Sequence, residues 1–160
     1  MKLWLVRHGE AEANMSNDPA RKLTGKGQAD IMALGKLLAM EGLAIDRAIV
    51  SPYTRARQTW EALQAKNHWP LQPIIEQALT PAEVTESILQ VLQGCDSSES
   101  VLVVSHQPLV SSLTALLVSG SAGNAWEYPM MPGSLAEIEL TDCLPGGGKL
   151  KRLLSPPYAA

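Results

Sequence analysis

Short apolar runs alternate along the chain with longer segments whose apolar residues recur at helical spacing. The runs at residues 2–6, 47–51 and 101–105 are typical of strands, and the last is apolar up to its serine, which indicates burial on both sheet faces. Residues 135–140 alternate apolar with small or acidic side chains, which predicts a half-exposed strand at a sheet edge. Helices are predicted at residues 24–42, 54–66, 82–92 and 108–118.

Strands that alternate with helices are typical of an α/β protein with a mostly parallel sheet. We therefore predict a three-layer α/β/α sandwich with a mostly parallel central sheet. Residues 1–160 should form a single domain, because no linker, internal repeat or low-complexity segment divides the chain. Thr24 is the expected N-cap of the first helix, which should end near Gly42.

The composition narrows the class of protein. Hydrophobic residues make up 46% of the chain and charged residues 18%, as in soluble globular proteins. The net charge of −3 argues against a nucleic-acid-binding surface, and no apolar run reaches the roughly 18 residues of a membrane span. We therefore expect neither nucleic acid nor a membrane as a partner. Cys95 and Cys143 form no CxxC pattern, so we expect reduced thiols in a cytoplasmic protein.

Positive charge is concentrated at the start of the chain. Residues 1–66 hold ten Lys and Arg against seven Asp and Glu, whereas residues 67–148 hold nine Asp and Glu and no Lys or Arg. An anion site must therefore draw its cations mainly from the first 66 residues, where the arginines are Arg7, Arg21, Arg47, Arg55 and Arg57.

Three predicted strands end in residues that suit such a site: "LVRHG", "IVSPYTRARQT" and "VVSHQPL". In parallel sheets, ligands bind beyond the carboxyl ends of the strands, where helix N-termini direct free amides outward. Each of these strand ends brings a histidine, an arginine or both to the same edge. Their convergence predicts an anion site, although each motif alone is weak evidence.

His8 directly follows the first strand, between Arg7 and Gly9. The Arg7 guanidinium opposes protonation of the ring, and a neutral imidazole beside a fixed cation is what attack on a phosphoryl group requires. Gly9 has no Cβ, so the backbone can approach a bound phosphate closely. The alternative is a structural histidine satisfied by backbone hydrogen bonds.

Arg55 lies in the first turn of a predicted helix, where a cation is unfavourable unless it shares an anion with the free amides. The alternative is a solvated surface arginine. Arg57, two residues further on, is interpreted as a surface or ion-pair residue. Near a bound phosphoryl group the pKa of His106 should rise, which would make this ring a cation and a hydrogen-bond donor. His68 is assigned to a loop outside the site.

A metal site is the obvious alternative use for two histidines. The sequence contains no HxxxH or HxH pair, and the arginines around His8 and His106 would repel a metal ion. We therefore expect no metal and no cofactor.

Taken together, the motifs resemble a known family. "RHG" after the first strand, "SPxxRAxQT" after the second, "SH" after a later apolar strand and "LTxxGQA" at residues 23–29 are similar to the histidine phosphatase superfamily, whose relatives include the phosphoglycerate mutases. The resemblance spans residues 2–118 and implies a phosphoglycerate mutase-like fold. It also implies that His8 is the phosphorylated nucleophile, surrounded by Arg7, Arg55 and His106.

The resemblance further implies phosphate contacts from two loop residues. Asn14 occupies the position where many members place a phosphate-contacting asparagine, and the alternative is a loop-capping residue. Arg21 is expected to reach the site from its loop.

The short chain favours one branch of the superfamily. Only residues 15–22 and 119–133 form generous loops, so little of the chain is available to close over the site, and an open site suits a protein substrate. The sequence resembles the small bacterial phosphohistidine phosphatases of the SixA type, which remove phosphate from histidine on phosphotransfer domains of sensor kinases. The resemblance implies a metal-independent phosphohistidine phosphatase whose partner is a phosphorylated histidine phosphotransfer (HPt) domain or similar phosphoprotein. We expect a monomer.

A departure from the superfamily pattern supports this substrate. Many phosphomonoesterases of the superfamily carry an acid after the third strand to protonate the leaving alkoxide, but "ALTPAEV" has Pro81 in that region. Imidazole has a conjugate-acid pKa of about 6.5, so as a leaving group it needs protonation by a general acid less than an alkoxide does. Glu83 and Glu10 remain candidates for the acid, and a first-turn helical position is the alternative interpretation of Glu83.

Two other functions stay open at this point: a small-molecule phosphomonoesterase on the same fold, and a non-catalytic module that binds phosphohistidine. A bell-shaped pH dependence of kcat/KM is expected, limited by protonation of His8 and deprotonation of His106. The loop around Trp126, Tyr128, Met130 and Met131 is either a docking surface for a partner helix or folded back onto the core.

Overall fold

Strands and helices alternate in the computed structural model, which describes residues 1–13 and 16–158. Within these residues the strands are β1 (Lys2–Arg7), β2 (Arg47–Val50), β3 (Ile74–Ile75), β4 (Ser100–Ser105), β5 (Leu135–Leu140) and β6 (Gly148–Leu154). The α-helices are α1 (Gly25–Met40), α2 (Thr54–Asn67), α3 (Thr85–Gln93) and α4 (Leu109–Ser119). Short 3₁₀ helices lie at Asp18–Ala20, Gln77–Leu79 and Ala122–Glu127.

The strands form one sheet in the order β3-β2-β4-β1-β5-β6. The pairs β3–β2, β2–β4 and β4–β1 are parallel, and β1–β5 and β5–β6 are antiparallel. The predicted mostly parallel sheet is confirmed. β1 and β4 are central and in register, with Arg7 opposite Ser105.

Helices cover both faces of the sheet. Trp4 and Val6 pack into a core cluster with residues of α1 and α2, whereas Leu3 and Leu5 pack into a second cluster with residues of α3 and α4. Alternate residues of β1 therefore enter different cores, because successive side chains of a strand point to opposite faces. This arrangement confirms the three-layer α/β/α sandwich. None of the helices in the described residues has both the length and the apolar character needed to cross a membrane.

Most predicted elements occur where expected. The Thr24 hydroxyl accepts a hydrogen bond from the Gly27 amide at 3.0 Å and caps α1, and Gly42 with φ of +68° follows the end of that helix. α3 begins at Thr85 rather than at residue 82, so Glu83 precedes the helix, and its predicted first-turn position is wrong.

The interpretation of residues 135–140 as an edge strand is wrong. β6 pairs with the outer side of β5, and most of the β5 side chains are buried. β6 gives a weak sequence signal because Lys151 and Arg152 interrupt its apolar pattern. These cations pair across the ladder, Lys151 with Glu139 at 3.6 Å and Arg152 with Glu137 at 2.6 Å.

The topology places three polar residues side by side. His8, Ser51 and His106 each directly follow one of the neighbouring parallel strands β1, β2 and β4. Backbone hydrogen bonds extend the pairing by one residue, from the His8 amide to the Ser105 carbonyl and from the Ser51 amide to the Val104 carbonyl. The first residues beyond the strands therefore lie at fixed positions, with His106 between His8 and Ser51.

Candidate active site

The two predicted strand-end histidines lie together in a buried pocket. The ring centroids of His8 and His106 are 5.0 Å apart, and the two residues are 6% and 1% exposed. The Tyr53 ring lies 5.1 Å from the His106 ring. The sequence motifs predicted both histidines at this edge of the sheet, and the structure places their rings next to each other.

Hydrogen bonds fix the orientation of the His8 ring. Nδ1 lies 2.7 Å from the Gly9 carbonyl oxygen, which only accepts, so Nδ1 carries the proton. Nε2 therefore holds the lone pair, and it accepts a hydrogen bond from Arg55 Nε at 3.1 Å. The Gly9 amide donates to the Thr59 hydroxyl at 3.1 Å, and this hydroxyl donates to the Arg55 carbonyl at 2.8 Å. The backbone around His8 is thus linked to α2.

The His8 ring is neutral at physiological pH. Its pKa is lowered to about 4, first by burial and then by the positive charges of Arg55, Arg7 and Arg21, while the Gly9 carbonyl opposes the shift. A lone pair on Nε2 is consequently available across the neutral range, as the sequence predicted for a nucleophile.

Arg55 is held by an acidic residue that sequence reasoning missed. Its Nη1 donates to the Asp18 carbonyl at 2.8 Å, and its Nη2 lies 3.3 Å from the Asp18 carboxylate. Asp18 also pairs with Arg21 at 2.8 Å, and the Tyr53 ring lies 5.0 Å from Arg55 Cζ. Arg55 is only 4% exposed, so the alternative of a solvated surface arginine is wrong. The "NDPAR" loop contained the signal, an acid three residues before an arginine.

Arg7 is anchored by the loop that precedes β5. Its Nη1 donates to the Met130 carbonyl at 2.9 Å, and Met130 itself is buried. The loop before β5 therefore holds Arg7, while the exposed side chains of Trp126 (78%) and Met131 (62%) project outward. Arg7 Nε is buried and has no hydrogen-bond partner among the described residues.

Burial determines the protonation state of His106 in the pocket without phosphate. Burial, followed by the proximity of His8 and Arg55, lowers its pKa to about 2. The ring is therefore neutral in the free pocket, where we expected a cation once phosphate is bound. Its Nε2 lies 2.7 Å from Ser51 Oγ, and its Nδ1 is buried without a hydrogen-bond partner among the described residues.

The remaining predicted phosphate contacts fare differently. The Gly9 amide is already bound to Thr59, and a Cβ at this position would come within 2.9 Å of Ile31 Cγ1. Close packing on α1 is therefore by itself enough to require a residue without a Cβ here. Arg21 lies near enough to lower the pKa of His8, but its Nε donates to the Glu12 carbonyl at 2.6 Å. Asn14 lies outside the described residues.

Arg57 and His68 are both exposed, as expected for residues outside the site. His68 ends α2 with a left-handed backbone (φ of +51°). Within residues 1–13 and 16–158, no group of three or more His, Cys, Asp or Glu side chains could hold a metal ion.

The two candidate acids border separate cavities beside the pocket. Glu10 accepts a hydrogen bond from the Thr24 hydroxyl at 2.8 Å and lines a cavity of about 290 Å³ with Met131. Glu83 is exposed and lines a cavity of about 260 Å³ with Pro108, which follows His106 by two residues. Neither carboxylate is hydrogen-bonded to His8, Arg7 or Arg55 in the described residues.

The pocket as a whole suits a tetrahedral oxyanion. Two guanidiniums and two neutral imidazoles surround it, and the carboxylate in contact with them, that of Asp18, is already bound to Arg55 and Arg21. Arg7 Nε and His106 Nδ1 are buried polar atoms that still lack partners among the described residues. Buried polar groups are costly when unpaired, so their pairing with phosphoryl oxygens would complete the site.

Comparisons with known proteins agree with this arrangement. A family model described as the histidine phosphatase superfamily (branch 1) matches residues 3–84. The chain is 31% identical to the phosphohistidine phosphatase SixA of Escherichia coli (strain K12), over 98% of this chain and 94% of that protein. A solved structure of the protein histidine phosphatase SixA complexed with tungstate matches with a TM-score of 0.88 and 29% identity, over 98% of both chains. The adenosylcobalamin/alpha-ribazole phosphatase of Salmonella typhimurium (strain LT2) is 26% identical, over 89% of this chain and 92% of that protein.

Fold and family together define a phosphatase with an α/β/α sandwich. The chain belongs to the histidine phosphatase superfamily, branch 1, and its fold is the phosphoglycerate mutase-like one that the motifs implied.

Proposed function

We propose that this protein is a phosphohistidine phosphatase, acting in the cytoplasm on a phosphorylated histidine phosphotransfer domain or similar phosphoprotein. The observation that supports this most is the pocket itself: a neutral His8 whose Nε2 lone pair accepts from Arg55, two arginines and, among the described residues, no carboxylate placed to protonate a leaving group. The likeness to SixA proteins, one of them complexed with tungstate, supports the same substrate class. Free Cys95 and Cys143 fit a reducing compartment.

The reaction we propose has two steps. In the first, His8 Nε2 attacks in line the phosphorus of a substrate phosphohistidine whose other ring nitrogen carries a proton. A P–Nε2 bond forms, and the P–N bond to the substrate ring breaks with its electron pair going to that ring, which leaves as neutral imidazole. Arg55 Nε must release Nε2 as this bond forms, and it then donates to a phosphoryl oxygen. Arg7 and Arg55 stabilise the charge on the three equatorial oxygens.

In the second step, water attacks the phosphorus of phosphorylated His8. The P–Nε2 bond breaks, its electron pair returns to Nε2, and the proton lost by the water is taken up by the phosphate or by solvent. Orthophosphate then leaves the pocket. His8 is regenerated as the Nδ1-protonated tautomer, because the Gly9 carbonyl still accepts from Nδ1.

The chemistry of the leaving group favours a P–N substrate. An alkoxide needs a proton as it departs, and a positioned acid accelerates such a step by roughly 10²–10⁴-fold. An imidazole has a conjugate-acid pKa of about 6.5 and takes up a proton readily near neutral pH. Glu83 is exposed and Glu10 is bound to Thr24, so neither is arranged as a dedicated acid at the pocket.

Phosphate release from a phosphohistidine-bearing phosphotransfer domain tests this function. We expect release that depends on His8 and exceeds the turnover of p-nitrophenyl phosphate and a panel of sugar phosphates. His8→Ala should abolish it, and His68→Ala, which removes an exposed histidine outside the pocket, should leave it unchanged. Tight binding of the phosphoprotein without phosphate release would instead indicate a non-catalytic binding module.

A small-molecule phosphomonoesterase is the second candidate. The similarity to an adenosylcobalamin/alpha-ribazole phosphatase favours it, as does the position of Glu83 on a cavity that Pro108, two residues after His106, also lines. Appreciable kcat/KM on one phosphate ester, lost in Glu83→Gln, together with no phosphohistidine turnover, would replace our proposal with this function.

A further inference from the structure

Ser51 makes a contact with His106 that the proposed mechanism does not use. Its hydroxyl oxygen lies 2.7 Å from His106 Nε2, and the residue is completely buried. The Tyr53 amide donates to the same oxygen at 3.3 Å. The Ser51 hydroxyl thus lies between one fixed N–H donor and one imidazole nitrogen, whose role as donor or acceptor depends on the tautomer of His106.

The hydrogen bonds around Ser51 distinguish the two neutral tautomers of His106. If His106 Nε2 carried the proton, Ser51 Oγ would accept twice, and its own hydroxyl proton would have no acceptor among the described residues, at a fully buried site. If Nε2 carries the lone pair, the Ser51 hydroxyl donates to it and accepts from Tyr53. All three groups are then satisfied, and the proton of the imidazole lies on Nδ1.

A proton on His106 Nδ1 would give the pocket two buried hydrogen-bond donors without partners among the described residues. His106 Nδ1 and Arg7 Nε are buried without partners among the described residues, and Arg7 Nε is always a donor. With a proton on Nδ1, both atoms are donors, which is the set an oxyanion requires. With a lone pair on Nδ1, His106 would present an acceptor to the phosphoryl oxygens and repel them.

We propose that Ser51 is a positioning residue that holds His106 in the Nδ1-protonated tautomer, so that His106 binds a phosphoryl oxygen as a neutral hydrogen-bond donor. The inference rests on the proposed function only in that the bound group is a phosphoryl group. The sequence predicted a protonated His106 beside the phosphoryl group. In the present proposal the ring stays neutral and donates the proton that Nδ1 already carries.

The charges around His106 agree with a neutral donor. The groups that face His106 come from several elements. They are Arg7 at the end of β1, His8 directly after it, Asp18 in the first 3₁₀ helix, Tyr53 before α2 and Arg55 in α2. Burial and the nearby cations oppose a further positive charge, and Asp18 opposes them only weakly because it already pairs with two arginines. A serine hydroxyl supplies the tautomer without adding charge to this cluster.

Nitrogen NMR of the imidazoles is the direct test, and it requires no knowledge of the natural substrate. In ¹⁵N-labelled protein at neutral pH, we expect His106 to show a protonated Nδ1 and a lone pair on Nε2, both alone and with saturating inorganic phosphate. A protonated Nε2 with a bare Nδ1, or an imidazolium in the phosphate complex, would overturn the proposal. Failure of phosphohistidine turnover would leave this result intact, so the two hypotheses fail separately.

Substitution of Ser51 gives the second readout. In Ser51→Ala we expect a mixed or reversed His106 tautomer, inorganic phosphate binding weaker by roughly 10–100-fold, and a similar fall in kcat/KM. Without the hydroxyl, His106 must take up a proton to donate, so kcat/KM of this variant should fall at alkaline pH, where the wild type is flat. Ser51→Thr keeps a hydroxyl and should restore the wild-type profile.

Ser105→Ala is the matched control. Ser105 is 1% exposed and directly precedes His106, but its hydroxyl donates to the Leu79 carbonyl at 2.7 Å and not to the ring. This variant loses a buried hydroxyl of the same kind and should keep both the tautomer and the pH profile. If Ser51→Ala also kept the tautomer and the flat profile, Ser51 would have no positioning role. If Ser51→Ala does not fold, the wild-type spectrum alone decides.

Discussion

A single lone pair, on His8 Nε2, determines how the site should respond to pH. The Gly9 carbonyl keeps the proton on Nδ1, and burial together with Arg55, Arg7 and Arg21 lowers the pKa of the ring to about 4. The base form is therefore present at every pH above that value. Reaction rate through this nucleophile should decline only when His8 gains a proton.

We predict that kcat/KM declines as the pH falls through about 4 and is level on the alkaline side, because kcat/KM reports the pKa values of the free enzyme. This replaces the bell-shaped profile, whose alkaline limb required a protonated His106. The profile should be recorded with a substrate whose own ionisation is known, and circular dichroism should verify folding at each pH. A midpoint near about 6.5, or an alkaline limb in the wild type, would contradict the neutral pair.

Arg55 and Arg57 offer a matched pair of arginines. Arg55 directs Nε at His8 and Nη1 and Nη2 at Asp18, a fan of donors that a lysine cannot reproduce. We predict that Arg55→Lys lowers kcat/KM by roughly 10²–10³-fold, in the range of a lost oxyanion donor. Arg57→Lys on the exposed side of the same helix should retain wild-type kcat/KM, and equal losses in both would show that charge alone matters.

Among single residues, the sequence motifs predicted His8, Arg7, Arg55 and His106 as parts of the site, because residues at the ends of neighbouring parallel strands meet at one edge of the sheet. Their hydrogen-bond partners were less visible. Asp18 belongs to a loop whose path cannot be read from local pattern. Ser51 lies inside a recognised motif, but its effect on His106 becomes apparent only when β2 and β4 lie side by side.

At the scale of elements, helix α1 links stability to the site through its cap. The Thr24 hydroxyl accepts from the Gly27 amide at 3.0 Å and donates to Glu10 at 2.8 Å. We predict that Thr24→Ala lowers the free energy of unfolding by about 1 kcal/mol, the typical contribution of an N-cap, and that Thr24→Ser restores most of it. Urea denaturation measures both variants, and no loss in the alanine variant would show that water replaces the cap.

The predictability of each element followed its periodicity. α1 begins at a side-chain cap, and α2 and α4 end at residues with a left-handed backbone, so the positions of these three helices were predicted within a few residues. β3 consists of two exposed isoleucines, and β6 carries cations whose partners lie on β5 and α1, so neither gives a local apolar pattern. The edge position of β5 was mistaken for the same reason, since the strand that covers it was not recognised.

At the scale of the whole molecule, the buried neutral histidines link stability to pH. In the unfolded chain His8 takes up a proton below about 6.5, whereas the folded chain resists this until about 4. The unfolded state therefore binds more protons in this interval, and stability must fall as the pH is lowered through it.

We predict that the free energy of unfolding falls by roughly 3 kcal/mol between pH 7 and pH 4 through His8 alone, with a further decrease from His106. His8→Gln should give a shallower dependence, and chemical denaturation at a series of pH values measures it. Inorganic phosphate should raise the melting temperature of the wild type, since a ligand that binds only the folded state stabilises it and we expect phosphate to bind the folded pocket. The same slope in His8→Gln and the wild type would show that His8 keeps an ordinary pKa in the folded protein.

The register of the central strands has a consequence for how activity emerges during folding. His8 and His106 meet only after β1 and β4 pair, with Arg7 opposite Ser105, although these segments are separated by most of the chain. A slip of one residue would turn every side chain of a strand to the opposite face. Such long-range parallel pairing forms slowly compared with local helices. During refolding, phosphatase activity should therefore recover later than the helical circular dichroism signal. The time course of activity would then report when the sheet is complete.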